Sequence, residues 1–119
     1  MGSYGVIHDA GGNIKISPSP YPEAIASGGG SLQLHEGVAY MLTGVNANLS
    51  ITLDTTNIYT DYEARYNIVL EYISGTITFP SNIKTNVDMN TFTFEANTWY
   101  EIDFKLINGY VFGNICKYY

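Results

Sequence analysis

From Ser31 onward, apolar residues alternate with Thr, Asn, Ser and charged residues in a period of two, the signature of half-buried β-strands rather than of helix. Leu32 and Leu34 face inward on a first predicted strand, and residues 39–42 form a second after a turn at Glu36-Gly37. Leu49, Ile51 and Leu53 point in on a third, while Asn48, Ser50 and Thr52 point out. Residues 54–61 break the alternation and read as a long loop. Tyr66, Ile68, Leu70 and Tyr72 then line the core face of the longest strand, backed by Arg65, Asn67, Val69, Glu71 and Ile73. Ile77 and Phe79 mark a short strand ended by Pro80, which has no N–H to give to a ladder. Phe92 and Phe94 mark another, and Ile102, Phe104 and Leu106 alternate with Glu101, Asp103 and Lys105 on a two-faced strand.

Asn108-Gly109 between two such runs predicts a type I′ hairpin, whose central residues both need positive φ. The last strand, residues 110–119, is apolar on both sides: Tyr110, Phe112 and Cys116 on one, Val111, Ile115 and Tyr119 on the other. Such a strand is central to two packed layers or belongs to a subunit contact. Seven or eight short strands, with turn signals about every eight to twelve residues, predict an all-β fold, an antiparallel β-sandwich of jelly-roll-like form.

The first 31 residues have another texture, with Pro18, Pro20, Pro22, Gly11-Gly12 and Gly28-Gly29-Gly30. Only residues 13–17 suggest a strand there, and residues 23–27 a single helical turn. The expected organisation is therefore an extended, flexible arm or linker over 1–31 and a β-sandwich domain over 32–119.

A chain of 119 residues fits one domain and can bury a core without disulfides or a structural metal. With 45% hydrophobic residues, only 13% charged and 11 Tyr, the composition argues against disorder. Eleven acids against five bases give a net charge of −6. The bases Lys15, Arg65, Lys84, Lys105 and Lys117 are scattered along the chain, so no nucleic-acid partner is expected. No apolar run approaches the length of a membrane-spanning helix, and no membrane insertion is expected. The lone Cys116 reads as a buried structural thiol.

Signals for catalysis or metal binding are weak. His8 and His35 lack the partners of a metal site. Glu101 and Asp103 share a strand face at roughly the carboxylate spacing of inverting glycosidases, but acids interleaved with Lys105 on a solvated face are better read as solubilising. Asp54, Asn57, Asp61 and Glu63 could offer oxygens to Ca²⁺, yet without the loop pattern of such sites they read as an Asx-rich turn. No enzyme, metal or cofactor is expected. The candidate contact residues are aromatic and apolar. Tyr59, Tyr62 and Trp99 could stack on sugars or anchor a protein contact, and Val111, Ile115 and Tyr119 form one face of the last strand.

The run Gly75-Thr76-Ile77-Thr78-Phe79-Pro80-Ser81-Asn82-Ile83-Lys84, then Phe92-Thr93-Phe94-Glu95-Ala96-Asn97-Thr98-Trp99-Tyr100-Glu101-Ile102 and the hairpin Ile107-Asn108-Gly109-Tyr110, resembles β-rich domains of bacteriophage virions. Such domains recur in minor structural, baseplate, tail-fibre and head-fibre proteins, and the likeness covers about residues 31–119. Two departures stand out: Thr85 follows Lys84 where that family usually carries Trp, and Trp99 stands where a small polar residue or Lys is common. The resemblance implies a non-enzymatic part of the virion, commonly a homotrimer. Its partners would be other copies of itself, other virion proteins, and a host-surface glycan or protein if it forms a fibre tip. The alternative is a stand-alone carbohydrate-binding module using the loop aromatics.

Overall fold

The computed structural model describes residues 5–8, 14–17, 23–25, 28–56, 58–59 and 62–119. All regular elements among them are strands, as the period of two predicts. β1 (Gly5–His8) and β2 (Ile14–Ser17) pair with each other as an antiparallel hairpin. The other eight are β3 (Glu23–Ile25), β4 (Gly28–Leu34), β5 (Ala39–Leu53), β6 (Glu63–Tyr72), β7 (Ile77–Thr78), β8 (Ile83–Thr85), β9 (Thr98–Ile107) and β10 (Tyr110–Lys117).

β5 organises the fold because it belongs to two ladders. Its residues 39–45 lie between β3 and β6, and its residues 49–53 lie between β4 and β7, with all four pairings parallel. Leu34 sits beside Leu53, yet only four residues join Leu34 to Ala39, a reach of at most ~18 Å. A straight strand from Ala39 to Leu53 would run ~46 Å, so β5 folds back on itself. The corner is the exposed triplet Asn46-Ala47-Asn48. The chain thus makes two stacked passes, over 39–53 and 63–78, each of two strand segments and a corner, and β3 and β4 lie alongside the first of them.

The corners are tied to one another. Ile73 and Ser74 donate their backbone N–H groups to the Val45 carbonyl at 2.8 and 3.0 Å. Thr76 N donates to the Asn48 side-chain oxygen at 2.9 Å, and Leu49 N to the Thr76 carbonyl at 2.8 Å. Gly75, at φ +100°, packs so closely that a Cβ there would lie 2.5 Å from the Ala47 carbonyl.

β9 then runs antiparallel to β6, and β10 antiparallel to β9 through the Asn108-Gly109 turn, whose φ values of 50° and 79° confirm the type I′ expectation. β8 closes the sheet as a short parallel strand along β10. Buried side chains from every described pass meet in one core: Leu32 and Leu34 of β4, Leu42, Leu49 and Ile51 of β5, Ile68 and Leu70 of β6, Ile102 and Phe104 of β9. Beyond β7, loop aromatics continue the cover. Phe94 packs at 4.8 Å from Tyr100, 4.9 Å from Phe92 and 5.4 Å from Tyr72 between ring centroids, and Phe79 at 6.1 Å from Phe104.

Four tyrosines turn rings toward this core and bond loop backbone with their hydroxyls. Tyr40 accepts from His35 N at 3.0 Å and Tyr100 from Glu95 N at 2.8 Å. Tyr66 donates to the Asp54 carbonyl at 2.8 Å and Tyr72 to the Gly75 carbonyl at 2.7 Å. Burial is the main reason the Tyr66 hydroxyl titrates above its ordinary range, with Glu36 and Asp54 adding to it.

The all-β class is as expected, and several details are corrected. Antiparallel pairing holds across β6, β9 and β10, whereas β3, β4, β6 and β7 all run parallel to β5. The two strands expected at 39–42 and 49–53 are one bent strand. Phe92 and Phe94 form no strand; their rings are spent on the aromatic cover. The helical turn expected at 23–27 is strand β3 over Glu23–Ile25, because so short a segment cannot nucleate a helix alone and β5 offers it a ladder. β3 and β4 also carry the sheet upstream of residue 32, so the boundary expected between arm and domain falls inside β4.

Candidate functional site

The two sides of β6, β9 and β10 differ in kind. The inward side is apolar, with Ile68, Ile102 and Ile115 in one cross-strand row and Leu70 beside Tyr100 in the next. The outward side is a mixed aromatic and polar face, and strand register sets its rows. One row reads Arg65, Lys105, Phe112 and, across to β8, Lys84. The next reads Asn67, Asp103, Asn114, and the third Val69, Glu101, Cys116.

The middle of this face is a hydrogen-bond network. The Asn67 amide donates to Glu101 at 2.7 Å and to Asp103 at 2.6 Å, and the Tyr118 hydroxyl donates to the other Glu101 oxygen at 2.5 Å. The Tyr118 hydrogen bond, then that from Asn67, holds the Glu101 carboxyl below its usual range against a smaller opposing effect of burial. The same bond pushes the Tyr118 hydroxyl up. The carboxylate pair considered for glycoside chemistry is therefore bridged by an amide, and Glu101 is driven away from the raised pKa a general acid needs.

Among the sequence candidates, Trp99 and Tyr119 are brought together. With Tyr118 they surround a cavity of about 350 Å³ at the end of β9 and β10, where Lys117 pairs with Glu95 at 2.8 Å and lies 4.8 Å from the centre of the Tyr119 ring. Glu95 is also the principal reason Lys117 titrates above its ordinary range. Tyr59 and Tyr62 pair edge to face at 5.7 Å, both exposed, in a groove with Leu106 and Gly109. That groove lies by the Ile107 end of β9 and Trp99 near the other, some 27 Å along a strand, so the three aromatics form no single platform.

Val111 and Ile115 face the opposite way from the contact surface expected of them: Ile115 is 6% exposed and Val111 packs on the core. The exposed parity of β10 is Tyr110, Phe112, Asn114 and Cys116, continued past the strand by Tyr118, the opposite of the face expected from the sequence. Cys116, expected to be buried, is exposed because its neighbour Ile115 takes the inward position; its sulfur accepts from the Asn114 amide at 3.3 Å.

Asp54 accepts from Thr56 N at 3.0 Å and bonds His35 Nδ1 at 2.9 Å, and the Thr56 hydrogen bond is the main cause of its lowered pKa. Of the other residues considered for Ca²⁺, Asn57 and Asp61 lie outside the described residues. Glu63 is ion-paired to Arg65, and no grouping of three potential ligands occurs among the described residues.

The bases, scattered in sequence, are not scattered in space. Arg65, Lys84 and Lys105 converge on a depression of about 490 Å³ around Phe112, bordered by Asp103 and Asn114. No spacing rule along the chain could have shown this, since the three residues come from three different strands. Set against family models, curated proteins and solved structures, the chain matches none.

Proposed function

We propose that this chain is a non-enzymatic structural and attachment module of a bacteriophage virion, working as a homotrimer beside other virion proteins and meeting the host surface. The observation that carries it is the aromatic corner of Trp99, Tyr118 and Tyr119, which leaves apolar ring surface outside a well-packed sheet. Tyr118 and Tyr119 are exposed and Trp99 beside them is partly buried, and exposed aromatic rings on a rigid scaffold suit contact between macromolecules. The amide-bridged carboxylates of the outer face suit binding better than proton transfer. The likeness of the Gly75–Lys84 and Phe92–Ile102 runs to virion domains supplies the setting, and a second copy of this chain is the occupant proposed for the corner.

Edge-to-edge assembly through β10 is a poorer alternative, because β8 and Asn86 cover β10 from Val111 to Ile115. Chemical cross-linking of the whole chain tests the reading. Trp99→Ala combined with Tyr119→Ala is expected to abolish a cross-linked trimer while leaving the melting temperature within a few degrees. Trimer formation unaffected by the double variant would contradict the placement of the contact.

A further inference from the structure

We infer that the depression around Phe112 is a binding site for a carboxylated sugar, held by Arg65, Lys84 and Lys105. This rests on the attachment half of the proposed function for its setting, and on the following geometry for its chemistry.

Arg65 and Lys105 are directly opposite one another across β6 and β9, on the same outward face. Like charges in that position repel and weaken a sheet. Lys105 is followed in the same row by Phe112 and then Lys84. Placing three of the chain's five bases around one depression, in a protein carrying six more acids than bases, builds a local attraction for an anion within a repulsive field. Arg65 is partly satisfied by Glu63, but Lys84 has no acidic partner among the described residues and Lys105 only the ring of Phe112, 5.8 Å from its centroid.

The remaining groups select a sugar among anions. Phe112 is 38% exposed and has Tyr110 beside it at 6.5 Å, a tilted aromatic pair on which the apolar face of a pyranose can rest. Asp103 gives one oxygen to Asn67, leaving the other to accept from a sugar hydroxyl, and Asn114 supplies an amide at the same rim. Asp103 and Glu63 would repel a densely charged nucleic-acid backbone, which offers no hydroxyl-rich face in return. A sugar with one carboxylate among several hydroxyls matches both halves of the lining.

The test is titration calorimetry on the whole chain with a glucuronate-type tetrasaccharide, a neutral glucose tetrasaccharide, inorganic phosphate and a short single-stranded oligonucleotide. The expected result is saturable binding of the uronate alone, weakened by added salt. Lys84→Gln and Lys105→Gln should each reduce affinity about tenfold, the loss of one charge-assisted contact. Asn46→Ala, at the exposed corner of β5, should leave it unchanged. Circular dichroism melts matching the parent show that the variants fold, and the salt dependence of the parent chain tests the same charges without substitution.

Equal affinity for the neutral sugar, tighter binding of the oligonucleotide or phosphate, an equal loss in Asn46→Ala, or no uronate binding at millimolar concentration would each overturn the proposal. A trimer that does not bind uronate would overturn this site alone, and a monomer that does bind would contradict the assembly reading alone.

Discussion

Asn86 stands in for a strand beside Ile115. Its side-chain amide donates to the Ile115 carbonyl at 3.2 Å while its side-chain oxygen accepts from Ile115 N at 2.8 Å, so one residue satisfies both backbone groups where β8 has ended. An open sheet edge is a template for unwanted pairing, and this amide closes part of it.

Asn86→Ala should therefore lower stability by about 1 kcal/mol, the low end for two hydrogen bonds, because water can reach the vacated site. Concentration-dependent aggregation should increase as well. Urea denaturation and light scattering of the variant check the two effects separately.

The stacked corners make a sharper demand. At Gly75 the backbone is at φ +100°, a conformation L side chains rarely adopt, and the space a Cβ would need is filled by the Ala47 carbonyl. Since the obstacle is backbone rather than a movable side chain, Gly75→Ala should cost about 3 kcal/mol or more, read as a shift in the urea midpoint.

Phe94 joins the loop cover to the sheet through contacts with Tyr72, Phe79, Phe92 and Tyr100. It is only partly buried, so Phe94→Ala is expected to cost about 2–3 kcal/mol, below the figure for a fully enclosed ring. The near-ultraviolet dichroism of the aromatic cluster should fall with it.

The bond between Tyr118 and Glu101 sets a pH window. Glu101 has a lowered folded-state pKa, so its contribution is complete above the ordinary glutamate range and is lost as pH falls through the lowered value. Tyr118 has a raised folded-state pKa, so its contribution is complete below the ordinary tyrosine range and is lost as pH rises through the raised value. Nuclear magnetic resonance titration should show both displacements, and Glu101→Gln should bring Tyr118 back toward its ordinary value.

Side-chain alternation made much of the strand layout legible. Leu49 and Ile51, or Ile102, Phe104 and Leu106, are buried as their spacing implies, and the Asn108-Gly109 turn has the expected backbone. Pairing direction was not legible, because a period of two marks which face is buried and is silent on the neighbour's polarity. Parallel strands ordinarily need a long crossover, and only four residues link β4 to β5. Here residues 39–45 of β5 are themselves the crossover that returns residues 49–53 alongside β4.

The candidate contacts were legible only in part for the same reason. On β10 both parities are apolar, so sequence could not choose between Ile115 and Phe112 for the outside. Tyr59 and Trp99 looked equivalent as loop aromatics until β9 separated them along its length. Arg65, Lys84 and Lys105 meet only through three strands whose order no local pattern encodes.

The most direct test of the central claim is the solution mass of the whole chain, measured by light scattering across a dilution series at neutral pH. Assembly through the aromatic corner predicts a species of three times the 13.1 kDa chain mass, giving way to single chains on dilution. A mass of 13.1 kDa at every concentration would contradict it.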